Sequence, residues 1–255
     1  MTSLLDGKVA VITGAGSGVG RAMANLFAEN GASVLIVDVI QERVDEAVRE
    51  AKPKSEAKVE GMTIDLSLKE NPDRMVDHAQ EAFGRVDVLC NNAGIMDGVH
   101  PVADTPDNVW ESVLNINLNA PFRSSRRAIP LMLKNGGGAI VNTASVAGVV
   151  GGVAGAAYTV SKHGLIGLTR SIAAHYGAQG IRCNAMVLGG VNTNIGVGGA
   201  APDPKGMEHL MKAMATLPRT AQPAEIAELA LFLASGKSSY MNGSCVVIDG
   251  GWTVL

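Results

Sequence analysis

The amino-acid sequence predicts a doubly wound α/β fold, in which helices cover both faces of a seven-stranded parallel sheet. Short apolar runs recur along the chain, and segments with helical periodicity separate them. Most of these runs are continuous rather than alternating in polarity, which is typical of parallel strands buried on both faces. The regular alternation of strand and helix favours right-handed crossovers within one sheet. We therefore expect a single domain over residues 1–255.

The elements can be placed in order along the chain. The predicted strands are residues 8–13, 33–38, 58–65, 86–90, 139–145, 181–187 and 245–249. Helical patterns span 18–30, 41–51 and 72–83, and they end at Gly31, Pro53 and Gly84. Residues 194–218 begin with a Gly- and Pro-rich stretch, which predicts a mobile substrate lid. The packing face predicted for this lid consists of Met207, Leu210, Met211 and Met214.

The composition limits the class of partner. The 255 residues are 47% hydrophobic and 18% charged, which suits a large buried core. A net charge of -3, without a dense Lys/Arg run, argues against nucleic acid or an anionic membrane and favours a small-molecule ligand. Cys90, Cys183 and Cys245 are widely spaced and lack metal-ligand spacing, so we interpret them as buried thiols and expect no metal. Without a signal-like segment or a long apolar run, we expect a cytoplasmic protein.

A glycine-rich loop follows the first predicted strand. It reads TGAGSGVGR at residues 13–21, and a helix is predicted to begin near Gly18. Glycines at this position let a pyrophosphate approach backbone N–H groups, and the helix N-terminus adds partial positive charge. A lone glycine loop is a weak signal, because glycine also serves ordinary tight turns. The residues predicted to bind a dinucleotide here are Gly14, Ser17, Gly18, Val19 and Gly20.

Asp38 ends the second predicted strand, 18 residues after Gly20. A carboxylate at this position can accept hydrogen bonds from the adenosine ribose hydroxyls and would repel a 2′-phosphate. Val39 follows it, and the loop holds no basic residue before Arg21. The sequence therefore favours NAD over NADP as the cofactor, although a solvated Asp without a ligand is the alternative interpretation.

These motifs, taken in order, resemble the short-chain dehydrogenases and reductases, in particular their compact, single-domain NAD(P)-dependent class with a Rossmann fold. The resemblance covers essentially the whole chain. Besides the glycine loop, it rests on Asp65-Leu66, residues 91–94 (NNAG), Asn117, Ser145, Tyr158 with Lys162, Val191 to Thr193, and residues 249–251 (DGG).

The resemblance implies further cofactor contacts. It places Asp65 and Leu66 at the adenine, and Asn92, Ala93 and Gly94 along the cofactor after the fourth strand. It also places Val191 and Thr193 at the nicotinamide carboxamide. One position departs from the family pattern, because Leu188 precedes Gly189 where the family usually has proline. Leucine does not fix φ as proline does, so we expect a different course for the loop that follows.

Tyr158 and Lys162 are four residues apart on a predicted helix and should lie on the same face. A nearby ammonium and the positive nicotinamide of the oxidised cofactor would both lower the pKa of the phenol from about 10. Tyr158 could then act as acid and base while hydride moves between a secondary alcohol and NAD. We expect Ser145 to hold the substrate oxygen. The resemblance implies that Lys162 also binds the nicotinamide ribose.

Asn117 is the fourth catalytic candidate. Trp110, Leu114, Asn117 and Pro121 fall on one predicted helical face, so an amide interrupts an apolar stripe and requires polar partners. The resemblance implies that this amide holds a water that relays protons from the lysine. Asn115 is the competing assignment. His163 is interpreted as structural, and His100 as part of a surface loop rather than of the substrate pocket.

The sequence therefore predicts an NAD-dependent oxidoreductase that interconverts a secondary alcohol and a ketone without a metal. The resemblance further implies a homotetramer. A 3-oxoacyl-thioester reductase is the alternative within enzymes, and its expected preference for NADPH conflicts with Asp38. A non-catalytic NAD-binding regulatory protein is the alternative outside enzymes, although such a protein would not need the tyrosine, lysine and serine set.

Overall fold

A computed structural model describes residues 3–53, 57–195 and 199–254, and within these residues seven parallel strands form one sheet. The strands are β1 (Val9–Thr13), β2 (Ser33–Asp38), β3 (Val59–Thr63), β4 (Val88–Asn91), β5 (Gly138–Ser145), β6 (Ile181–Leu188) and β7 (Cys245–Ile248). Their spatial order is β3-β2-β1-β4-β5-β6-β7. The predicted seven-stranded parallel sheet is confirmed, and its strand boundaries differ from the prediction by two residues or fewer.

The described residues also form α-helices between the strands. They are α1 (Gly18–Glu29), α2 (Gln41–Glu50), α3 (Asn71–Phe83), α4 (Asp107–Leu114), α5 (Ala120–Lys134), α6 (Ala156–Tyr176), α7 (Pro204–Met214) and α8 (Pro223–Ala234). The helix α7 lies inside the segment predicted as a lid. None of the described helices is both long enough and apolar enough to cross a bilayer.

The two faces of the sheet belong to two separate apolar cores. Ile12 and Ile36 pack on one side with Phe27 of α1, in a core that also includes α8. Val11 and Leu35 point to the other side and join a core with residues of α3 and α5. Successive side chains of a strand point to opposite faces, so burial on both sides requires a continuous apolar run. This requirement explains the sequence pattern of β1 and β2.

The strand order reverses between β1 and β4, which is where a doubly wound sheet leaves a crevice at the carboxyl ends of its strands. β2 lies on one side of this point and β5 on the other. The loops that leave β1, β2, β4 and β5 therefore come together at one edge. The glycine loop follows β1, Asp38 ends β2, residues 91–94 follow β4, and Ser145 ends β5.

The helical stripe predicted around Asn117 is partly wrong. Residues Asn115–Asn119 form a π-helical turn between α4 and α5, and this wider turn rotates the residues before it. Asn117 is fully buried as predicted, but Trp110 is exposed and Leu114 is only half-buried. Val113 occupies the buried face of α4 instead. The predicted stripe assumed a regular α-helix, so it could not include this change of pitch.

Candidate active site

The glycine loop closes tightly against the loop after β4. Gly14 has a φ of +64°, and a Cβ added there would lie 2.9 Å from the Cα of Ala93. A Cβ on Gly20 would collide with the carbonyl oxygen of Gly14. Gly18 has a φ of +52° and faces the side chain of Thr193. Glycines therefore leave the backbone bare at Gly14, Gly18 and Gly20, as the approach of a pyrophosphate requires.

Asp38 lies beside this loop. One of its carboxylate oxygens accepts a 3.0 Å hydrogen bond from the backbone N–H of Gly16. The other accepts bonds from the N–H groups of Val39, at 2.8 Å, and Ile40, at 3.2 Å. The carboxylate thus joins the end of β2 to the glycine loop. Its position also brings α2 close, because the Cβ of Arg43 lies next to Gly16.

The end of β4 is tied to β1 and β5 by Asn92. Its side-chain amide donates a 3.0 Å hydrogen bond to the carbonyl of Thr13, and its oxygen accepts one from the hydroxyl of Thr143. The Thr13 hydroxyl accepts bonds from the N–H groups of Asn92 and Ala93. These contacts hold the predicted cofactor residues Asn92 and Ala93 against the end of β1.

Asp65 and Leu66 lie in the loop after β3. The carboxylate of Asp65 accepts a 2.9 Å hydrogen bond from the N–H of Ser67. The side chain of Leu66 is buried and lines a small cavity with Ala93 and Ile116. Thr13 of β1 and Asn91 of β4 also line this cavity, so it lies at the reversal point of the sheet.

Tyr158 and Lys162 are both buried on α6, with exposed fractions of 7% and 2%. The Lys162 ammonium lies 5.3 Å from the centre of the Tyr158 ring and donates a 2.8 Å hydrogen bond to the carbonyl of Thr143. Ser145 ends β5, and its side chain is close enough to the Tyr158 phenol to lower the pKa of that phenol. The Ser145 hydroxyl accepts a bond from the N–H of Ala147. The structure therefore brings together the serine, tyrosine and lysine that the sequence predicted.

Burial has the largest effect on the pKa values of Tyr158 and Lys162. It raises the pKa of the phenol to about 12, while the Ser145 side chain lowers this pKa and the charge of Asp97 raises it. Burial also lowers the pKa of Lys162 to about 8. Loss of solvation by water disfavours the charged form of each group. The expectation of a lowered tyrosine pKa concerned the phenol beside an oxidised nicotinamide, whereas in the chain alone burial is the largest effect and raises that pKa.

Asn117 lies next to the lysine. Its amide oxygen accepts a 2.9 Å hydrogen bond from the N–H of Ile95, and its nitrogen donates one of 3.0 Å to the carbonyl of the same residue. A Cβ added to Gly94 would lie 3.4 Å from the amide oxygen of Asn117 and 3.6 Å from the ammonium of Lys162. Asn115 is half-buried and pairs with Asn119 instead. The geometry therefore favours Asn117 over Asn115.

The loop after β6 returns to the glycine loop. Leu188, the residue that departs from the family pattern, continues β6 in register with Ser145 and Ile248. Val191 then pairs with Ala221, and Thr193 reaches Gly18 of the glycine loop. Val191 and Thr193 therefore lie near the crevice, as the resemblance implied.

Two residues near the site escaped the sequence analysis. Asp97 is completely buried, although an acidic residue between Met96 and Gly98 reads as an ordinary loop residue. His100 was assigned to a surface loop, but its side chain is largely buried and bonds the carbonyl of Ala201 at 3.0 Å. That assignment was wrong because the segment around residue 201 covers the loop. Only the fold brings residues 101 positions apart into contact.

The prediction for α7 is also partly wrong. Met207 and Leu210 are half-buried, but Met211 is 67% and Met214 39% exposed. The helix packs instead through Gly206, which lies against the backbone of Val99.

His163 is exposed and bonds the carbonyl of Thr159, away from the site.

A buried tyrosine and lysine beside a glycine loop, at the reversal point of a parallel sheet, define a nucleotide-dependent oxidoreductase. Residues 14–253 match a family model described as enoyl-(acyl carrier protein) reductase. The chain belongs to the short-chain dehydrogenases and reductases, which use a nicotinamide nucleotide to interconvert hydroxyl and keto groups.

Individual relatives cover nearly the whole chain. The chain is 40% identical over 251 residues to 3beta-hydroxysteroid dehydrogenase 2 of Eggerthella lenta. The aligned residues cover 98% of this chain and 96% of that protein. The chain is also 35% identical over 250 residues to the 3-oxoacyl-[acyl-carrier-protein] reductase FabG of Thermotoga maritima, covering 98% and 99%. The crystal structure of levodione reductase superimposes with a TM-score of 0.88 at 32% identity, covering 98% and 99%.

Proposed function

We propose that the chain interconverts a secondary alcohol and its ketone with NAD(H), and that Tyr158 carries the proton. The observation that supports this most directly is the convergence of Ser145, Tyr158 and Lys162 at the carboxyl end of β5. The glycine loop lies two strands away in the same sheet. The bare backbone around Gly14 and Gly20 suits a pyrophosphate, so the residues present fit a dinucleotide.

In this mechanism the chain positions the substrate and moves one proton. A bound nicotinamide would supply the hydride acceptor or donor. In reduction, Tyr158 gives its phenolic proton to the carbonyl oxygen, and a pKa of about 12 keeps this proton in place at neutral pH. Ser145 holds the same oxygen by a hydrogen bond. Lys162 lies close enough to stabilise the phenolate that remains, and Asn117 completes the polar lining behind it.

The preference for NAD is part of the proposal. The Asp38 carboxylate is largely buried and faces the glycine loop, where it would repel a phosphate on the adenosine ribose. Arg43 would have the opposite effect. Its Cβ lies next to Gly16, so its guanidinium could reach a phosphate on the adenosine ribose and favour NADP. We expect the repulsion to dominate, because the carboxylate is bonded in place by three backbone N–H groups.

The substrate proposed for this site is a bulky, uncharged secondary alcohol or ketone. Tyr158 belongs to a buried apolar cluster against which Ile95, Met96 and Val153 pack. The loop after β5 lies against α7, since Gly152 faces His209. Exposed apolar side chains on these segments are Val149, Val150, Ile195, Met211 and Met214. A carbon ring system would bury this surface, and the similarity to a hydroxysteroid dehydrogenase and a levodione reductase supports that choice.

We also propose that residues 194–218 form a lid over this apolar surface. Both ends of α7 are attached to the body of the protein. The N–H of Asp203 donates to the carbonyl of Gly98 at 2.8 Å, and the indole N–H of Trp252 donates to the carbonyl of Ala213 at 3.1 Å. Residues 196–198, inside the proposed lid, lie outside the described residues. A single sheet across the chain supports one domain over 1–255.

The second candidate is reduction of a 3-oxoacyl thioester, which the similarity to FabG favours. A panel of substrates separates the two. It would contain a 3β-hydroxysteroid, an alicyclic secondary alcohol and a 3-oxoacyl thioester, each tested with NAD(H) and NADP(H) by absorbance of the reduced cofactor. The proposal predicts turnover of the ring alcohols with NAD. Turnover confined to the thioester with NADPH would overturn it.

A homotetramer in the cytoplasm completes the proposal. Phe122 of α5 and Val160 of α6 are apolar and 47% and 44% exposed, and Val254 near the C-terminus is 84% exposed. Two such separate apolar surfaces suit the two interfaces of a tetramer. All three cysteines lie among the described residues as free thiols, which suits a reducing compartment; Cys90 and Cys183 are buried as predicted, but Cys245 is only half-buried. Sedimentation that shows only monomer at micromolar concentration would contradict the assembly.

A further inference from the structure

Asp97 holds the start of the helix that carries Tyr158. It lies in the loop after β4, its side chain has no exposed surface, and all of its recorded hydrogen bonds are to backbone N–H groups. One oxygen accepts from Val99 at 2.9 Å and from Gly155 at 3.2 Å. The other accepts from the N–H of Tyr158 itself, at 2.9 Å. The carboxylate therefore fixes the backbone of the residue proposed to carry the proton.

The loop after β4 packs so closely against the start of α6 that only glycine fits at position 155. A Cβ added to Gly155 would lie 2.5 Å from the Asp97 carboxylate and 2.6 Å from the N–H nitrogen of His100. The carbonyl of His100 accepts a 2.9 Å hydrogen bond from the N–H of Ala156. Residues 97–100 thus bind the backbone N–H groups of Gly155, Ala156 and Tyr158, around the first turn of α6. A shift of this loop would move Tyr158 with it.

Residues 98–100 of the same loop also contact residues 201–206 within the proposed lid. The carbonyl of Gly98 accepts from the N–H of Asp203, and the His100 ring bonds the carbonyl of Ala201. Gly206 lies directly against the carbonyl of Val99, where a side chain could not fit. Val99 has a φ of +60°, unusual for a β-branched residue, so contacts on both sides hold the loop in a strained form.

We propose that Asp97 is a positioning residue for Tyr158, and that loop 97–100 couples the lid to the proton carrier. The inference rests on the proposed role of Tyr158. When residues 199–206 settle on the loop, their hydrogen bonds order the backbone that the Asp97 carboxylate binds. The phenol then sits where a substrate oxygen, held by Ser145, can receive its proton. Catalytic geometry would thereby depend on a closed lid.

The charge of Asp97 provides a readout that a purely structural residue lacks. The ionisable groups around the phenol are Lys162 on its own helix and Asp97 on the loop after β4. The negative charge of Asp97 raises the pKa of Tyr158. Oxidation of an alcohol needs the basic form of the phenol, so its rate rises with pH as the phenol ionises. Neutralising Asp97 should shift this rise to lower pH while it lowers the maximal rate.

The test is the Asp97→Asn variant, with Asp87→Asn as its matched control. Asp87 is also a buried carboxylate that accepts from a backbone N–H, but it precedes β4 at the opposite end of the sheet. An amide presents its N–H₂ group to one of the N–H donors that Asp97 binds, so we expect kcat to fall about tenfold or more. We expect the alkaline rise of oxidation to move to lower pH for Asp97→Asn alone. An unmoved pH profile would overturn the proposal.

The lid side is tested by His100→Ala, which removes one partly exposed side-chain bond and leaves Asp97 intact. We expect KM for the substrate to rise about three- to tenfold, with NADH binding unchanged. In a Trp110→Phe background, Trp252 is the single tryptophan and is bonded to the lid helix. The fluorescence emission of Trp252 should change in His100→Ala. This measurement does not use the Asp97→Asn variant, so it tests the coupling even if that variant fails to fold. Unchanged KM and emission would refute the coupling.

Failure of this inference can be told apart from failure of the proposed function. If the Tyr158→Phe variant remained active, Tyr158 could not be the proton carrier, and both proposals would be rejected. An inactive Tyr158→Phe variant, together with an unmoved pH profile in Asp97→Asn, would leave the proposed function standing and reject only the role of Asp97.

Discussion

The ammonium of Lys162 lies 5.3 Å from the centre of the Tyr158 ring, yet its hydrogen bond goes to the backbone carbonyl of Thr143. The lysine is therefore anchored to β5 and influences the phenol through space. Both groups are almost completely buried. Their interaction is consequently stronger than it would be in water, and so is the cost of holding the lysine charged.

We predict that Lys162→Met greatly reduces turnover. The variant keeps a side chain of similar length but removes the charge that stabilises the phenolate and the group expected to bind the nicotinamide ribose. We expect kcat/KM to fall about 10²- to 10⁴-fold. Lys58→Met, an exposed lysine far from the site in sequence, serves as the control and should keep its activity. Steady-state kinetics at saturating cofactor would show whether the loss persists; wild-type rates for Lys162→Met would contradict the prediction.

The depressed pKa of Lys162 predicts a pH-dependent stability. Its pKa is about 8 in the folded chain and about 10.5 when exposed, so between these values the unfolded chain binds the extra proton. Stability attributable to this group therefore rises with pH, by about 1.4 kcal/mol per unit between pH 8 and 10. Urea unfolding of the wild type and Lys162→Met across this range should diverge accordingly. A constant difference between the two would contradict the burial of a titrating lysine.

The position of Asp38 predicts that cofactor preference can be reversed. Removing the carboxylate in Asp38→Ala should weaken NAD use and improve NADP use, because the repulsion of a 2′-phosphate disappears. We expect the ratio of kcat/KM values for NAD and NADP to fall at least tenfold. The double variant with Arg43→Ala tests whether that arginine supplies the cation. It should lose the gained NADP activity, whereas equal NADP activity in both variants would exclude Arg43.

The close approach at Gly20 predicts a strict requirement for glycine. A Cβ there would collide with the Gly14 carbonyl, so Gly20→Ala must open the glycine loop. We expect NADH affinity to fall at least tenfold and stability to drop by about 1–3 kcal/mol. Gly236→Ala is the control, since a Cβ at Gly236 meets no atom within 4 Å. Fluorescence titration with NADH would measure both variants, and normal binding by Gly20→Ala would contradict the proposed phosphate cradle.

Much of the fold could be predicted because its signals are local. A strand buried on both faces must be apolar throughout, and β2 was predicted to the residue at 33–38. The tyrosine and lysine pair followed from helical spacing alone. The π-helical turn around Asn117 was not predicted, although Pro121 follows it and lacks the N–H that would continue a regular helical hydrogen bond. The role of Asp97 was hidden because its partners, Gly155 and Tyr158, lie about 60 residues away in sequence.

The pKa of Tyr158 is the clearest example of what sequence reasoning could not weigh. The sequence placed a lysine next to the phenol, which by itself lowers the pKa. The structure adds burial, and burial raises it to about 12. The two effects oppose each other, and their balance depends on how completely the side chains leave water. The extent of burial depends on tertiary packing, which the sequence alone does not give.

Replacement of the Tyr158 hydroxyl tests the central claim most directly. Tyr158→Phe keeps the buried ring and removes only the group proposed to carry the proton, while Tyr240→Phe, at a fully exposed tyrosine, controls for the substitution. With a ring alcohol turned over by the wild type, we predict a rate about 10³-fold lower for Tyr158→Phe, with NADH affinity within about twofold of normal. An unchanged rate at normal NADH affinity would contradict the account.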